Sequence, residues 1–347
     1  MVFKAVRTAD LGADEIERTI LTANGLVMEN AFCRTEEELI NACKDADAIL
    51  LGPYEMMTRR VIGFLDKCRI ISHYGIGYDN VDCDSATEKG IIVTNVPDYC
   101  LEEVSDHAMA LILASSRRLL PLYGAVKAGN WKAGGFRITE ARSGILPLYA
   151  LTIGLAGLGR IAQSLVPKVR GFGSEIIAWD PYVADEVFLK LQVQRVDFEE
   201  LLTKSDYLSI HVPLTPQTHH LFDLKEFKKM KNTAFIINTS RGPVINEKDL
   251  EIALRDSELA GAALDVFEEE PIGHDHPLLK MDNVLLTPHS AFFSVRSINE
   301  MRERVATAIV RVFTGFYPDN IVNPKVREVV GGQLRRDIPL EQGQDTW

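Results

Sequence analysis

A glycine-rich segment and an acidic residue beyond it have a spacing that suits one kind of chemistry. Gly157, Gly159 and Ala162 fit the pattern G-x-G-x-x-G/A, between an apolar run and a helical pattern. The first glycine permits a tight turn, and the second lets the backbone approach a pyrophosphate. Asp180 ends the next apolar run 23 residues after Gly157, where a carboxylate accepts hydrogen bonds from a ribose. The spacing predicts a dinucleotide site, and Asp180 favours NAD over NADP because it repels a 2'-phosphate.

The elements that must position this loop are short apolar runs that alternate with helical patterns. Six of these runs lie within residues 151–157, 175–180, 207–212, 234–240, 262–267 and 283–289. This alternation is typical of a doubly wound sheet of parallel strands. Four earlier runs predict further parallel strands, near residues 2–6, 45–52, 69–75 and 90–96. Helical patterns near 101–120 and 295–314 connect the two sets, and we expect the second helix to pack back on the first set.

Composition and charge exclude several classes of protein. The formal net charge of -11 offers no field that attracts polyanions, so we expect no nucleic-acid partner. The longest uncharged stretch, residues 143–159, is too short for a bilayer span and contains a proline, so we expect no membrane association. The five cysteines lack metal-ligand spacing, which predicts reduced thiols and no metal. The first residues lack a secretory signal, which predicts a cytoplasmic protein.

Four segments, in order along the chain, resemble the D-isomer-specific 2-hydroxyacid dehydrogenase family. They are GIGYDNVD at 75–82, NTSRGPV at 238–244, ALDVFEEEP at 263–271 and TPH at 287–289. The resemblance implies an NAD-dependent enzyme that moves a hydride reversibly between NADH and a small 2-keto acid of the pyruvate, hydroxypyruvate, glyoxylate or phenylpyruvate type. It also implies association as a homodimer.

The resemblance implies an α/β fold of two domains. A Rossmann-type doubly wound NAD-binding domain, residues 101–289, is expected to be inserted in a flavodoxin-like substrate-binding domain. That second domain is predicted to consist of residues 1–100 and 290–330, followed by a polar C-terminal tail at 331–347.

The family resemblance also assigns catalytic roles to Arg241, Glu270 and His289. Reduction of a keto acid needs a cation on the carbonyl, a proton donor and a positioned hydride. The forked guanidinium of Arg241 suits the substrate carboxylate and carbonyl, and His289 suits the acid and base role. Glu270 is expected to hydrogen-bond the His289 ring and to favour its imidazolium form. Glu268 and Glu269 are interpreted as a solvated acidic loop.

Binding residues follow from the same segments. The predicted cofactor-binding residues are Gly157, Gly159, Arg160, Ile161, Asp180, His211, Pro213, Thr218, Thr239 and Asp265. The predicted substrate-binding residues are Tyr74, Gly75, Ile76, Gly77, Arg241 and Phe292. The glycines would let backbone N–H groups approach the substrate carboxylate.

Three other functions stay open at this point. His73 stands where many family members have an arginine, which argues against phosphoglycerate as the substrate. A corepressor-like protein that senses NADH and recruits partners, with only incidental turnover, would carry the same motifs. Oxidation of formate or phosphite on the same fold is weaker, because the formate enzymes have glutamine at the position of Glu270.

Overall fold

The computed structural model describes residues 2–131 and 144–335, and the chain divides into two compact units. Unit 1 is formed by the described residues of Met1–Tyr99 and Val295–Trp347, and unit 2 by those of Cys100–Ser294. The predicted division is 1–100 with 290–330 for one domain and 101–289 for the other. Of the predicted tail at 331–347, only residues 331–335 are described, and Gly331–Gln333 form a 3-10 turn.

Strands and helices alternate along most of the chain. The strands are β1 Phe3–Arg7, β2 Leu26–Asn30, β3 Ala48–Leu51, β4 Ile70–His73, β5 Ile92–Thr94, β6 Thr152–Ala156, β7 Glu175–Trp179, β8 Gln194–Arg195, β9 Tyr207–Ile210, β10 Phe235–Asn238, β11 Gly261–Leu264 and β12 Val284–Leu286. The helices are α1 Glu15–Ala23, α2 Glu36–Cys43, α3 Arg59–Gly63, α4 Cys83–Glu88, α5 Leu101–Ser116, α6 Leu119–Lys127, α7 Arg160–Gly171, α8 Asp185–Leu191, α9 Phe198–Lys204, α10 Leu224–Phe227, α11 Glu247–Arg255, α12 Val295–Phe313 and α13 Val326–Val330.

Unit 1 is built on a parallel sheet with the strand order β2-β1-β3-β4-β5. This is the flavodoxin-like order. Every residue of β3 and β4 is buried, which explains why their sequences are continuous apolar runs and do not alternate. Helix α12 packs against α1 and β4, so the expectation that it returns to the first set of strands is confirmed.

Unit 2 is built on a parallel sheet with the order β12-β11-β10-β9-β6-β7-β8. The chain runs outward from β6 to β8 and then resumes on the other side of β6 at β9. Such a reversal of strand order creates the crevice in which ligands of doubly wound folds bind. The predicted two-domain α/β fold class is thereby confirmed.

Some elements differ from the sequence prediction. The helix expected over 101–120 stops at Ser116, because Arg118 adopts a left-handed conformation with φ 53°, and α6 starts at Leu119. Strands β2 and β8 were not predicted. Each is at one edge of its sheet. Only two residues of β2 are buried and both residues of β8 are exposed, so neither strand carries a long buried run.

Candidate active site

Six strands of unit 2 end side by side, and the residues that follow them carry most of the predicted site. The last paired residues are Ala156, Trp179, Ile210, Asn238, Leu264 and Leu286. The residues directly after them are Gly157, Asp180, His211, Thr239, Asp265 and Thr287. Because parallel strands present their carboxyl ends at one edge, these residues, which are far apart in sequence, share one edge of the sheet.

The turn after β6 has the geometry of a phosphate cradle. Gly157 has φ 94°, and a Cβ there would lie 3.0 Å from the carbonyl carbon of His211. Gly159 precedes α7, and its Cβ would meet nothing within 4 Å. No side chain caps that helix start, where Arg160 and Ile161 form the first turn. Uncapped N–H groups beside an open glycine suit a pyrophosphate.

Asp180 holds the same turn from the neighbouring strand. Its Oδ2 accepts the backbone N–H of Leu158 at 2.8 Å. Its Oδ1 accepts the N–H groups of Tyr182 and Val183 at 2.8 and 3.0 Å. The carboxylate therefore lies beside the glycine turn, where the sequence predicts the ribose.

The other predicted cofactor residues follow β9 and β10, the strands that lie on the opposite side of β6 from β7. Burial lowers the pKa of His211 to about 4, so its ring is neutral, and Nε2 lies 2.9 Å from Oγ of Ser209. The Thr218 hydroxyl donates to the carbonyl of Pro213 at 2.6 Å, which closes that turn. Thr239 Oγ1 is buried and has no hydrogen-bond partner within the described part of the chain. An unpaired buried hydroxyl and an open glycine cradle fit a bound dinucleotide.

His289 and Glu270 form a close pair in unit 2. Nδ1 of His289 lies 2.6 Å from Oε2 of Glu270, and the Phe267 N–H donates to Oε1 at 2.9 Å. Burial acts to raise the pKa of Glu270, but the hydrogen bond and charge of His289, the Phe267 N–H and the charge of Arg241 together lower it below its usual value. The carboxylate is therefore ionised beside the imidazole.

Arg241 follows β10 by three residues and comes directly before the 3-10 turn Gly242–Val244. Its Nη1 donates to the carbonyl of Ser240 at 2.9 Å. The charge of Arg241 helps to lower the pKa of Glu270, so the guanidinium acts electrostatically on this carboxylate. Phe292 lies beside the same histidine, with the two ring centroids 6.0 Å apart. The structure thus brings Arg241, Glu270, His289 and Phe292 together.

Asp265 holds the loop that carries His289. Its side chain is fully buried, and both carboxylate oxygens are bound by the loop that carries His289. Oδ1 accepts from the Thr287 hydroxyl at 2.5 Å and the Ser290 N–H at 2.9 Å, and Oδ2 accepts the Ala291 N–H at 2.9 Å. The contact of Asp265 with the cofactor stays a prediction, and the carboxylate has the further task of shaping this loop.

Sequence reasoning assigned no role to the partners of Asp265. The loop they hold places His289 in a left-handed conformation with φ 49°, which is unfavourable for a residue with a Cβ. Nε2 of His107, on α5, lies 3.0 Å from the Thr287 hydroxyl. These two residues are 180 positions apart, and no local pattern pairs them.

In unit 1, the Tyr74 side chain lies in the interior. It is 3 % exposed, and its hydroxyl donates to Oε1 of the fully buried Glu17 at 2.7 Å. The prediction that this side chain contacts substrate is therefore wrong, since it packs inward. The adjacent Gly75 has φ 136°. The Asn95 side chain donates a hydrogen bond to the carbonyl of Ile76 and so helps to fix the Gly75–Gly77 loop.

Glu268 is exposed, in agreement with its interpretation as a solvated residue, and it also makes contacts within unit 2. Its Oε1 accepts the Glu247 N–H at 3.1 Å and lies 2.8 Å from Nε2 of His220. Among the residues that the structure describes, no set of three or more histidines, cysteines or acids is arranged to hold a metal ion. Within that same part of the chain, no helix has the length and apolar character needed to cross a membrane.

Comparison with known proteins identifies the relatives of this chain. Residues 109–291 match the model of the D-isomer specific 2-hydroxyacid dehydrogenase, NAD binding domain. A glyoxylate reductase of Korarchaeum cryptofilum is 38% identical over 295 residues, which are 85% of this chain and 88% of that protein. A D-3-phosphoglycerate dehydrogenase of Methanocaldococcus jannaschii is 39% identical over 310 residues, 89% of this chain and 58% of that protein.

A solved structure gives the same result. D-Lactate dehydrogenase from Aquifex aeolicus, complexed with NAD and lactic acid, superposes with a TM-score of 0.80 at 27% identity, over 92% of this chain and 99% of that one. The predicted cofactor, NAD, is thereby confirmed. The chain belongs to the D-isomer specific 2-hydroxyacid dehydrogenase family and is an NAD-dependent oxidoreductase that acts on 2-hydroxy acids.

Proposed function

We propose that this enzyme interconverts a small 2-keto acid and its D-2-hydroxy acid, with His289 as the acid and base. The observation that carries this proposal is the 2.6 Å contact between His289 Nδ1 and Glu270 Oε2 in a cluster that also holds the charge of Arg241. A guanidinium, an imidazole and a carboxylate are the groups that carbonyl reduction requires.

Each of the three side chains has one task. Arg241 binds the substrate carboxylate and polarises the carbonyl oxygen through its forked donors. Glu270 binds Nδ1 of His289 and stabilises the imidazolium, which assigns proton exchange with the substrate oxygen to Nε2. In the reductive direction Nε2 gives a proton to that oxygen, and in the oxidative direction it takes the proton back.

The nicotinamide, when bound, supplies or accepts the hydride at the substrate C2. We propose that the Gly157–Ile161 turn binds the pyrophosphate through backbone N–H groups and that Asp180 binds the ribose. His211, Pro213, Thr218 and Thr239 would line the remainder of the nucleotide site. Support comes from the open space at Gly159 and from the unpaired hydroxyl of Thr239.

For the substrate, we propose a short, unphosphorylated 2-keto acid of the glyoxylate, hydroxypyruvate, pyruvate or phenylpyruvate type. His73, which replaces the arginine common in the family, is 1 % exposed and so offers no surface cation for a phosphate. Relatives that are glyoxylate reductases support the same choice. The backbone of Gly75, Ile76 and Gly77 is proposed to bind the substrate carboxylate.

A screen of NADH oxidation across about ten 2-keto acids, with NADPH in parallel, tests this assignment. We expect turnover with NADH on at least one short keto acid and weaker turnover with NADPH. The assignment fails if no keto acid oxidises NADH. Oligomerisation driven by NADH in the absence of turnover would instead support a corepressor-like sensor.

We also propose that the protein is a homodimer formed through α6. None of the side chains of this helix is buried, and four large apolar ones are 46–62% exposed. They are Leu119, Leu120, Tyr123 and Val126. Light scattering should give twice the chain mass for the wild type and the chain mass for a Leu120→Lys/Tyr123→Lys variant. A monomeric wild type would exclude this dimer.

A further inference from the structure

A second cluster of carboxylates and imidazoles lies next to the loop of Glu270. Oε1 of Glu247, the first residue of α11, accepts the Glu268 N–H at 2.5 Å. In return, Oε1 of Glu268 accepts the Glu247 N–H at 3.1 Å. The two residues thus bind each other's backbone reciprocally, across 21 positions of sequence.

Two histidines flank this pair of carboxylates. Nε2 of His276 lies 3.1 Å from Oε2 of Glu247, and Nε2 of His220 lies 2.8 Å from Oε1 of Glu268. Glu247 is 9 % exposed whereas Glu268 is exposed, so two acids sit close together at the boundary between buried and exposed residues. Like charges at such a position are costly unless donors compensate them, and here imidazole and backbone N–H groups do so.

The pair joins the two segments that carry the catalytic groups. Glu247 lies six residues after Arg241, and Glu268 lies two residues before Glu270. The backbones of these two segments are also in contact, because a Cβ on Gly242 would lie 1.8 Å from the carbonyl carbon of Phe267. The turn at 267–270 is therefore fixed to the Arg241 segment at two points, a backbone contact at Gly242 and hydrogen bonds at Glu247.

We propose that Glu247 is a positioning residue for the reaction. By binding the Glu268 N–H, it sets the place of the 267–270 turn relative to Arg241 and so the place of the Glu270 carboxylate that holds His289. This inference rests on the proposed roles of Glu270 and His289, and it adds a residue that does not touch substrate or cofactor. A shift of the turn would lengthen the Glu270–His289 contact and slow proton transfer.

Three variants of the full-length enzyme test this role. In Glu247→Ala the Glu268 N–H loses its acceptor, and we expect kcat to fall by about tenfold to a hundredfold, with KM and NADH affinity within about twofold of the wild type. In Glu247→Gln the side-chain oxygen still accepts that N–H, so we expect most of kcat to return. Glu251→Ala on the same helix, which removes only a partner of Arg255, is the matched control and should keep the wild-type kcat.

The solvent deuterium isotope effect on kcat separates positioning from stability. A smaller folded fraction lowers the rate without changing this ratio, whereas a misplaced His289 makes proton transfer slower and raises it. We therefore expect a larger isotope effect in Glu247→Ala than in the wild type, Glu247→Gln or Glu251→Ala. Equal isotope effects in all four proteins, or a kcat for Glu247→Ala equal to that of Glu251→Ala, would overturn the inference.

Crystal structures of the same variants judge the inference independently of turnover. We expect a displaced 267–270 turn and a longer Nδ1–Oε2 distance between His289 and Glu270 in Glu247→Ala alone. An unchanged distance in that variant would contradict the role of Glu247. If the wild type fails to reduce any keto acid, the proposed function fails, and these distances still decide whether Glu247 positions the pair.

Discussion

Two of the histidine–glutamate pairs in unit 2 look alike at first sight. In His289–Glu270 the ring nitrogen and carboxylate oxygen are 2.6 Å apart, and in His276–Glu247 they are 3.1 Å apart. The histidine side chains are 24% and 23% exposed, and the glutamates 16% and 10%. Contact and exposure therefore do not distinguish the two pairs, so any difference must come from the groups around them.

The neighbours of the two glutamates act in opposite directions. Around Glu270, His289, the Phe267 N–H and Arg241 outweigh burial and lower the pKa of the carboxyl. Around Glu247, burial raises the pKa and the charge of Glu268 adds to that effect. The Glu268 N–H and the charge and hydrogen bond of His276 only partly offset this rise. The cation Arg241 near Glu270 keeps that carboxylate ionised, which suits it to stabilise an imidazolium. The acid Glu268 lies beside Glu247, whose carboxyl group is suited to bind a backbone N–H group.

The largest difference between the pairs should appear when each histidine is replaced by glutamine. His289→Gln removes the proposed proton donor, and we expect kcat to fall by about a hundredfold to ten-thousandfold, with NADH affinity kept. His276→Gln leaves the bond between Glu247 and the Glu268 N–H in place, and we expect less than about a threefold change. Steady-state kinetics and NADH titration measure both. Similar losses in the two variants would remove the distinction between the pairs.

A smaller effect is expected at Glu270. Glu270→Gln keeps a side chain of similar shape but removes the charge that stabilises the imidazolium. Loss of a hydrogen bond between charged groups costs about 1.5–3 kcal/mol, so kcat should fall by about tenfold to a hundredfold. Measurement of kcat and KM with the best keto acid checks this, and Glu269→Gln on the same loop is the control. An unchanged kcat would show that the His289 ring needs no charged partner.

A still smaller effect is expected from a change in the loop that carries His289. Thr287→Val removes the hydroxyl that binds Asp265 at 2.5 Å and so loosens the loop around His289. We expect kcat to fall by about threefold to tenfold, the cost of one hydrogen bond, and Thr287→Ser to restore it. The two variants should bind NADH equally in a fluorescence titration. Equal kcat values for valine and serine would contradict a role for the hydroxyl.

The smallest effect concerns stability against pH, and it should have opposite signs for the two glutamates. Glu270 has a lowered pKa, so its contribution to stability is present above the usual value of 4.5 and is lost as pH falls through the folded pKa. Glu247 has a raised pKa, so its contribution is present below 4.5 and is lost as pH rises through the folded pKa.

Thermal unfolding between about pH 4 and pH 8 measures this contrast. Relative to the wild type, Glu270→Gln should be less stable at neutral pH and approach the wild type on acidification. Glu247→Gln should become more stable relative to the wild type as the pH rises. The same sign of pH dependence in both variants would show that the two carboxyl groups have similar surroundings.

The parts of the site that the sequence predicts are those that follow strands. Gly157, Asp180, His211 and Thr239 each come directly after an apolar run, so the fold class alone places them at one edge of a sheet. The central strands were predictable for the same reason, since burial on both faces gives them continuous apolar sequences.

The parts that sequence did not predict depend on contacts between distant backbone and side-chain groups. The acceptor role of Asp265 is decided by N–H groups of Ser290 and Ala291, and every residue except proline carries such a group. Tyr74 directly precedes the motif at 75–82, yet its side chain turns inward because Glu17 on α1 offers a buried acceptor. The reciprocal bonds of Glu247 and Glu268 likewise have no sequence pattern.

The most direct test is a crystal structure of the enzyme with NADH and oxamate, an unreactive analogue of a 2-keto acid. We predict two hydrogen bonds from Arg241 to the analogue and one from Nε2 of His289 to its carbonyl oxygen, with Glu270 still bound to Nδ1. An analogue bound away from Arg241 and His289, or a His289 ring turned away from Glu270, would contradict the assignment.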